Sequence, residues 1–173
     1  MLSYPPAGQR RLITVFTLAG AFMTQLDATI ANVALPHMQA STSASSEQIT
    51  WVLTSYIITT AIFTPLSGWL ASRFGRKRLY VASVVAFTFA SMLCGVAQNF
   101  EQLVLFRILQ GMGGAALLPM SQAILLDINP PEDHGSAMAM WGFGVVIGPV
   151  CGPLLGGWLT AAFDWRWVFF IHL

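Results

Sequence analysis

Residues 12–36 read LITVFTLAGAFMTQLDATIANVALP, an apolar stretch interrupted by a single formal charge, Asp27. A bilayer core of about 30 Å is crossed by about 20 apolar residues in helical form, so this stretch reads as a membrane span. Asp27 lies about two thirds of the way along it, and an ionised carboxylate at such depth costs about 2.5–3.5 kcal/mol even on lenient insertion scales. It therefore needs a partner, a wet cavity or a bound proton. That requirement makes transport the first functional hypothesis.

The rest of the chain extends the same reading. Of 173 residues, 55% are hydrophobic and 9% charged, against about 25% charged in soluble domains. Apolar runs at 12–36, 49–71, 79–97, 103–126 and 137–160 predict five complete spans, and a sixth opens at 167–173. The expected fold is an all-α membrane protein, with residues 1–11 as a cytoplasmic N-terminus and residues 12–173 as one transmembrane bundle. Six of the eight basic residues, namely Arg10, Arg11, Arg73, Arg76, Lys77 and Arg78, fall on one side of this threading. By the positive-inside rule that side, and the N-terminus, is cytoplasmic. The loop 127–136 holds Asp127, Glu132, Asp133 and His134 without Lys or Arg, and acidic residues weigh little in the rule. Nothing after Trp165 resembles a cytoplasmic ending, so the chain is expected to be the front part of a longer protein.

Several classes are excluded or weakened. A net charge of +1 with its cations in one membrane-face loop speaks against nucleic acid as a partner. That loop suits contact with the bilayer's anionic headgroups. Cys94 and Cys151 fall within spans without C-x-x-C spacing and read as small core residues, so no metal site is expected. No G-x-S-x-G elbow and no H-E-x-x-H pair occurs, and His37, His134 and His172 sit at loops or span ends, so an enzyme is not expected. Arg10 and Arg11 ahead of Ala19-Gly20-Ala21 imitate a cleavable leader, but the apolar run continues to Pro36, longer than a leader core.

Same-face neighbours sharpen the site. Asp27 shares a helix face with Gly20, Thr24, Ala31 and Ala34, while Arg107 in the fourth span shares one with Gln110, Gly111, Gly114 and Ser121. Asp27 lies about 13 Å, and Arg107 about 6 Å, below the outer ends of their spans. The two charges are expected to face each other or one shared cavity, the alternative being an Arg107 that snorkels to headgroups. A carboxylate caught between desolvation and an arginine's field can be tuned to bind and release a proton. In the fifth span, Gly144, Gly148, Gly152 and Gly156 recur every four residues with Pro149 and Pro153 between them. Such a row forms a groove for a close-packed helix, and its Gly-Pro pairs suggest a hinge or seal. Gly68-Trp69-Leu70 with Phe74 recurs as Gly157-Trp158-Leu159 with Phe163 at an offset of 89 residues. The copies end the second and fifth spans, which suggests inverted three-helix repeats.

These residues resemble the major facilitator superfamily, and within it the EmrB/QacA-type drug:proton antiporters of fourteen spans. The loop Gly68 to Leu79 resembles the superfamily's signature between spans two and three. Leu105-Phe-Arg107-Ile-Leu-Gln110-Gly111 resembles its fourth-span motif, and Gly144 to Gly157 the antiporter motif of span five. Leu26-Asp27-Ala-Thr29-Ile-Ala-Asn32-Val-Ala-Leu-Pro36 matches the first-span motif of the fourteen-span group, and Trp165 to Ile171 resembles the start of its span six. Ser72 stands where the loop signature commonly has Asp, and His172 where related sequences tend to carry Asn.

The resemblance implies efflux of lipophilic, often cationic, compounds by proton antiport with alternating access, driven by the proton gradient without a cofactor. Asp27, Arg107, Gln110 and Asn32 would serve proton coupling and the substrate cavity, and Gly68, Arg73, Gly75, Arg76 and Asp127 the cytoplasmic gate. Gly144, Gly148, Pro149, Gly152, Pro153, Gly156 and Gly157 would seal span five. Trp51, Tyr56 and Trp141 are weaker candidates for touching an aromatic substrate, since such residues more often anchor the interface. Expected partners are lipid, protons, small-molecule substrates and a periplasmic adaptor protein, in a cell inner membrane. A carrier of siderophores, peptides or sugars, or a truncated non-transporting remnant, are the alternatives.

Overall fold

The computed structural model describes residues 4–173, so the first three residues of the N-terminal segment 1–11 lie outside the described residues. Its helices are α1 (Ala7–Thr42), α2 (Ser46–Ile49), α3 (Trp51–Phe74), α4 (Arg76–Val96), α5 (Phe100–Gly114), α6 (Leu117–Ile128), α7 (His134–Ala162) and α8 (Trp167–Phe170). A 3-10 turn at Pro131–Asp133 leads into α7, and no strand occurs among the described residues. Five segments are long and apolar enough to cross a membrane: Ala7–Thr42, Ser46–Phe74, Arg76–Val96, Phe100–Ile128 and Pro131–Ala162. The chain is a multi-pass membrane protein.

Local chemistry sets the helix ends. Ser45 and Gln48 exchange side-chain and backbone bonds in a capping box that starts α2. The Asn99 side chain accepts from the Gln102 amide at 2.9 Å and starts α5. Between α3 and α4 stands a single residue, Gly75, with φ of 87°. Only glycine takes that conformation without strain, so one residue reverses the chain.

At two places the helices differ from the expected span bounds. The first span does not stop at Pro36, because α1 runs on to Thr42 and ends at Ser43 with φ of 53°. A proline removes one backbone bond, and a long helix tolerates that where neighbours hold it. The fourth span, expected as one piece over 103–126, breaks at Ala115–Ala116 into α5 and α6. Pro119 has no N–H for the Ala115 carbonyl, and the Thr64 hydroxyl of α3, which donates to the Thr60 carbonyl at 2.7 Å, lies beside it at 3.3 Å.

The bundle is apolar outside as well as inside. Phe143, Val150 and Leu154 on α7 are 69%, 70% and 75% exposed, as residues facing lipid are. Two buried clusters fill the interior. One gathers Ile30, Met38, Val52, Leu103 and Phe169; the other gathers Tyr56, Tyr80, Phe87, Leu117 and Met120.

The longest helix contact is α1 on α7, and the glycine row makes it. A Cβ added at Gly148 would lie 2.7 Å from the Gln25 Cβ, at Gly152 2.8 Å from the Thr29 Cβ, and at Gly156 3.1 Å from the Ile30 carbonyl oxygen. Those three glycines admit the backbone of α1 itself. Gly144 touches only the Leu18 side chain at 3.6 Å, and Gly157 meets nothing within 4 Å. Pro149 is half-buried and Pro153 exposed, and α7 continues through both. The echoed Gly-Trp-Leu copies close α3 and α7, which run in opposite directions through the bundle.

Candidate functional site

α1 brings Asp27, and α5 brings Arg107 and Gln110, to one point where the two clusters meet. All three side chains are wholly buried. Arg107 Nη1 donates to Asp27 Oδ2 at 2.7 Å and to Gln110 Oε1 at 2.6 Å, while Gln110 Nε2 donates to Asp27 Oδ1 at 2.9 Å. The ring of contacts fixes the Gln110 amide, because the flipped orientation would set N–H against N–H on the arginine side. Arg107 Nε donates to the Val52 carbonyl of α3 at 3.0 Å, and the guanidinium carbon lies 4.2 Å from the Tyr56 ring centroid. Phe169 of α8 presents its ring centroid to the same carbon at 5.6 Å.

One guanidinium thus ties α1, α3 and α5 together. Burial without snorkelling rules out the headgroup alternative for Arg107, and a direct ion pair stands where a cavity between the two charges was the other expectation. The pair is electrically neutral, which is how the bundle holds both charges out of water. Arg107 Nη2 is buried with no partner among the described residues. It is a spare donor in the centre of the bundle.

Asn32 does not join this group. Its side chain is exposed and donates to the Ala28 carbonyl at 3.2 Å. Five residues beyond Asp27 on a helix of 3.6 per turn, it points well away from that face. Of the proposed gate residues, Arg76 bonds Asp127 through an ion pair whose side chains are 49% and 52% exposed. Arg73, Gly68 and Ser72 are exposed, with the Ser72 hydroxyl donating to the Trp69 carbonyl and Arg73 making no ion pair among the described residues. A further pair, Arg10 with Asp133 at 3.5 Å, links α1 to the start of α7. Trp51 is exposed, and Trp141 Nε1 donates to Ser121 Oγ at 2.9 Å.

Sequence reasoning named two further contributors without their contacts. Tyr56 packs on Arg107, a role hidden because a Tyr in an apolar run carries no periodic signal of what it faces. His172 is buried beside Phe87, ring centroids 5.4 Å apart and edge-on. Its departure from the usual Asn was the available clue.

An α-helical bundle closed around a buried carboxylate and guanidinium defines a domain of the secondary-transporter type. The chain belongs to the Major Facilitator Superfamily, whose profile it matches over residues 17–173. It is 43% identical over 172 residues to the multidrug export protein EmrB of Haemophilus influenzae, covering 98% of this chain and 34% of that protein. It is 43% identical to the fatty acid resistance protein FarB of Neisseria gonorrhoeae, covering 99% of this chain and 34% of that one. The chain thus spans about a third of the length of these curated relatives. A bacterial homologue of the human lysosomal transporter Spinster, inward-facing and occupied, superposes with a TM-score of 0.83 at 22% identity, covering 97% of this chain and 42% of that chain. A D-xylose–proton symporter gives 0.78 at 17% identity, covering 92% and 44%. At such identities the two structures speak for the fold alone.

Proposed function

We propose that this chain forms the N-terminal bundle of a proton-coupled exporter of lipophilic small molecules, with Asp27 as the group that takes the proton. The observation that carries the reading is the wholly buried Asp27–Arg107–Gln110 centre. A proton on Asp27 Oδ2 replaces the one from Arg107 Nη1, cancels the carboxylate's charge and removes the strongest link between α1 and α5. The stranded guanidinium then needs another partner, which drives a rearrangement of the bundle. Because α7 grips α1 through Gly148, Gly152 and Gly156, the two helices move as one piece. The Arg76–Asp127 pair acts as the gate on the cytoplasmic side, which the concentration of basic residues assigns to that end. An inner-membrane location and a periplasmic adaptor partner belong to the same proposal.

The name of FarB gives a second reading of the substrate, amphipathic acids. The free Nη2 donor of Arg107 favours it, since a carboxylate would satisfy that group. The deciding experiment uses inverted vesicles holding the full-length protein that carries this bundle, with a dye that reports the proton gradient. Adding a cationic drug or a fatty acid is expected to dissipate the gradient, and Asp27→Asn to abolish that response while substrate binding persists. Unchanged coupling in Asp27→Asn removes Asp27 from the mechanism.

A further inference from the structure

The ring of His172 is buried, 5% exposed, at the end of α8 and packed against α1 and α4. Its two nitrogens have different surroundings. Nδ1 lies 3.2 Å from the Phe169 carbonyl oxygen and 3.2 Å from Ser91 Oγ. Ser91 spends its own proton on the Phe169 carbonyl at 2.8 Å. With the Ser91 hydrogen on its shorter bond, both neighbours of Nδ1 offer only lone pairs, which assigns the hydrogen to Nδ1. In the neutral ring this leaves Nε2 as an acceptor, buried with no hydrogen-bond partner among the described residues, while the Met23 carbonyl of α1 also borders the ring.

A lone pair in that position is a place for a proton. The charges that act on the ring are Asp27 from α1 and Arg107 from α5. On α4 its neighbours are Ser91 and Phe87; the nearby thiol, Cys94, is engaged at 3.6 Å with Gln110 Oε1. Tyr56 of α3 lies over Arg107, and α7 holds no charged residue beyond its first turn. While Arg107 neutralises Asp27, a second positive charge here would be unbalanced. Once Arg107 has withdrawn and Asp27 has given up its proton, the carboxylate is left without a counter-charge, and an imidazolium supplies one.

We propose that His172 is a second proton-accepting residue of the Asp27–Arg107 centre, taking a proton on Nε2 when Arg107 no longer balances Asp27. One proton from water adds to the Nε2 lone pair, the Nδ1–H bonds persist, and no other bond changes. The proposal rests on the reading of Asp27 as the proton-exchanging group. It gives this centre a second place to hold the exchanged proton, which an Asn at the same position would not provide, because an amide holds no proton at ordinary pH.

The test is nitrogen NMR of the full-length protein that carries this bundle, labelled at histidine, in lipid nanodiscs without gradient or substrate. His134 provides an internal contrast, since its Nε2 lies 3.1 Å and 3.0 Å from the Leu126 and Asn129 carbonyl oxygens and must carry the hydrogen. At pH 8, His172 is expected as the Nδ1–H tautomer with bare Nε2, opposite to His134. At pH 6, Arg107→Gln is expected to raise the doubly protonated fraction of His172 at least tenfold over wild type. Arg107→Lys keeps the charge and the wild-type fraction, and Asp27→Asn added to Arg107→Gln restores it. An Nε2–H tautomer in the wild-type chain at pH 8, which needs no variant to fold, overturns the proposal. So does an equal protonated fraction in wild type and Arg107→Gln. Neither result touches the vesicle test of Asp27, so the two ideas fail separately.

Discussion

Breaking the central ion pair from one side should hurt far more than removing it whole. In Asp27→Asn the amide keeps one acceptor oxygen where the carboxylate had two, so its NH2 group must face Arg107 Nη1 or Gln110 Nε2, donor against donor. The guanidinium, wholly buried, is left unpaired. Arg107→Met strands the carboxylate and takes the donor from the Val52 carbonyl. Each single change removes one partner of a buried pair and is expected to cost about 3–5 kcal/mol, about 6–10 for the two if they were independent. In the double variant the oxygen of the introduced amide still accepts from Gln110 and only neutral groups lose bonds, about 1–3 kcal/mol. The expected coupling is therefore at least about 3 kcal/mol, near the top of the range for contacting residues. Equilibrium unfolding in mixed detergent and SDS micelles, followed by the fluorescence of the six tryptophans, measures all four proteins. Additivity within about 0.5 kcal/mol would refute the idea that the two charges stabilise each other.

Gly152→Val places branched carbons against the Thr29 side chain and should destabilise the bundle by about 1–3 kcal/mol through overpacking, whereas Gly157→Val, with open space around it, should stay within about 0.5 kcal/mol; the same unfolding titration compares them. Asp127→Asn removes a half-exposed pair with Arg76 and should change stability by no more than about 1 kcal/mol, an effect that fades in about 1 M salt. All three variants leave the central pair intact.

The spans and their order were legible because a bilayer demands long apolar runs, and the pairing of Asp27 with Arg107 because buried charges must find each other. Gly148, Gly152 and Gly156 were legible as a packing face, although which helix would fill it was not, since a groove of small residues carries no mark of its occupant. The break at Ala115 was hidden: Pro119 signalled a lost bond, but the hydroxyl that stands beside the freed carbonyl, Thr64, lies on another helix. Asn32 stands on another face of α1 than Asp27, since a residue within a strong motif need not share the face of its neighbour. His172 was noticed only as a departure, and its partner Ser91 on α4 is 81 residues away in sequence, beyond any local pattern.

The Ala115 carbonyl has no amide at residue 119 to serve it, and it shares at 3.3 Å a Thr64 hydroxyl that bonds the Thr60 carbonyl at 2.7 Å. Such a bond can be given up and remade without unwinding a turn, at a net cost of about 1 kcal/mol. The segment that carries Asp127 can therefore tilt at this knee while the segment that carries Arg107 stays anchored to the Val52 carbonyl. The amide missing at Pro119 thereby lets the charge pair at the rim and the one at the heart of the bundle keep separate time.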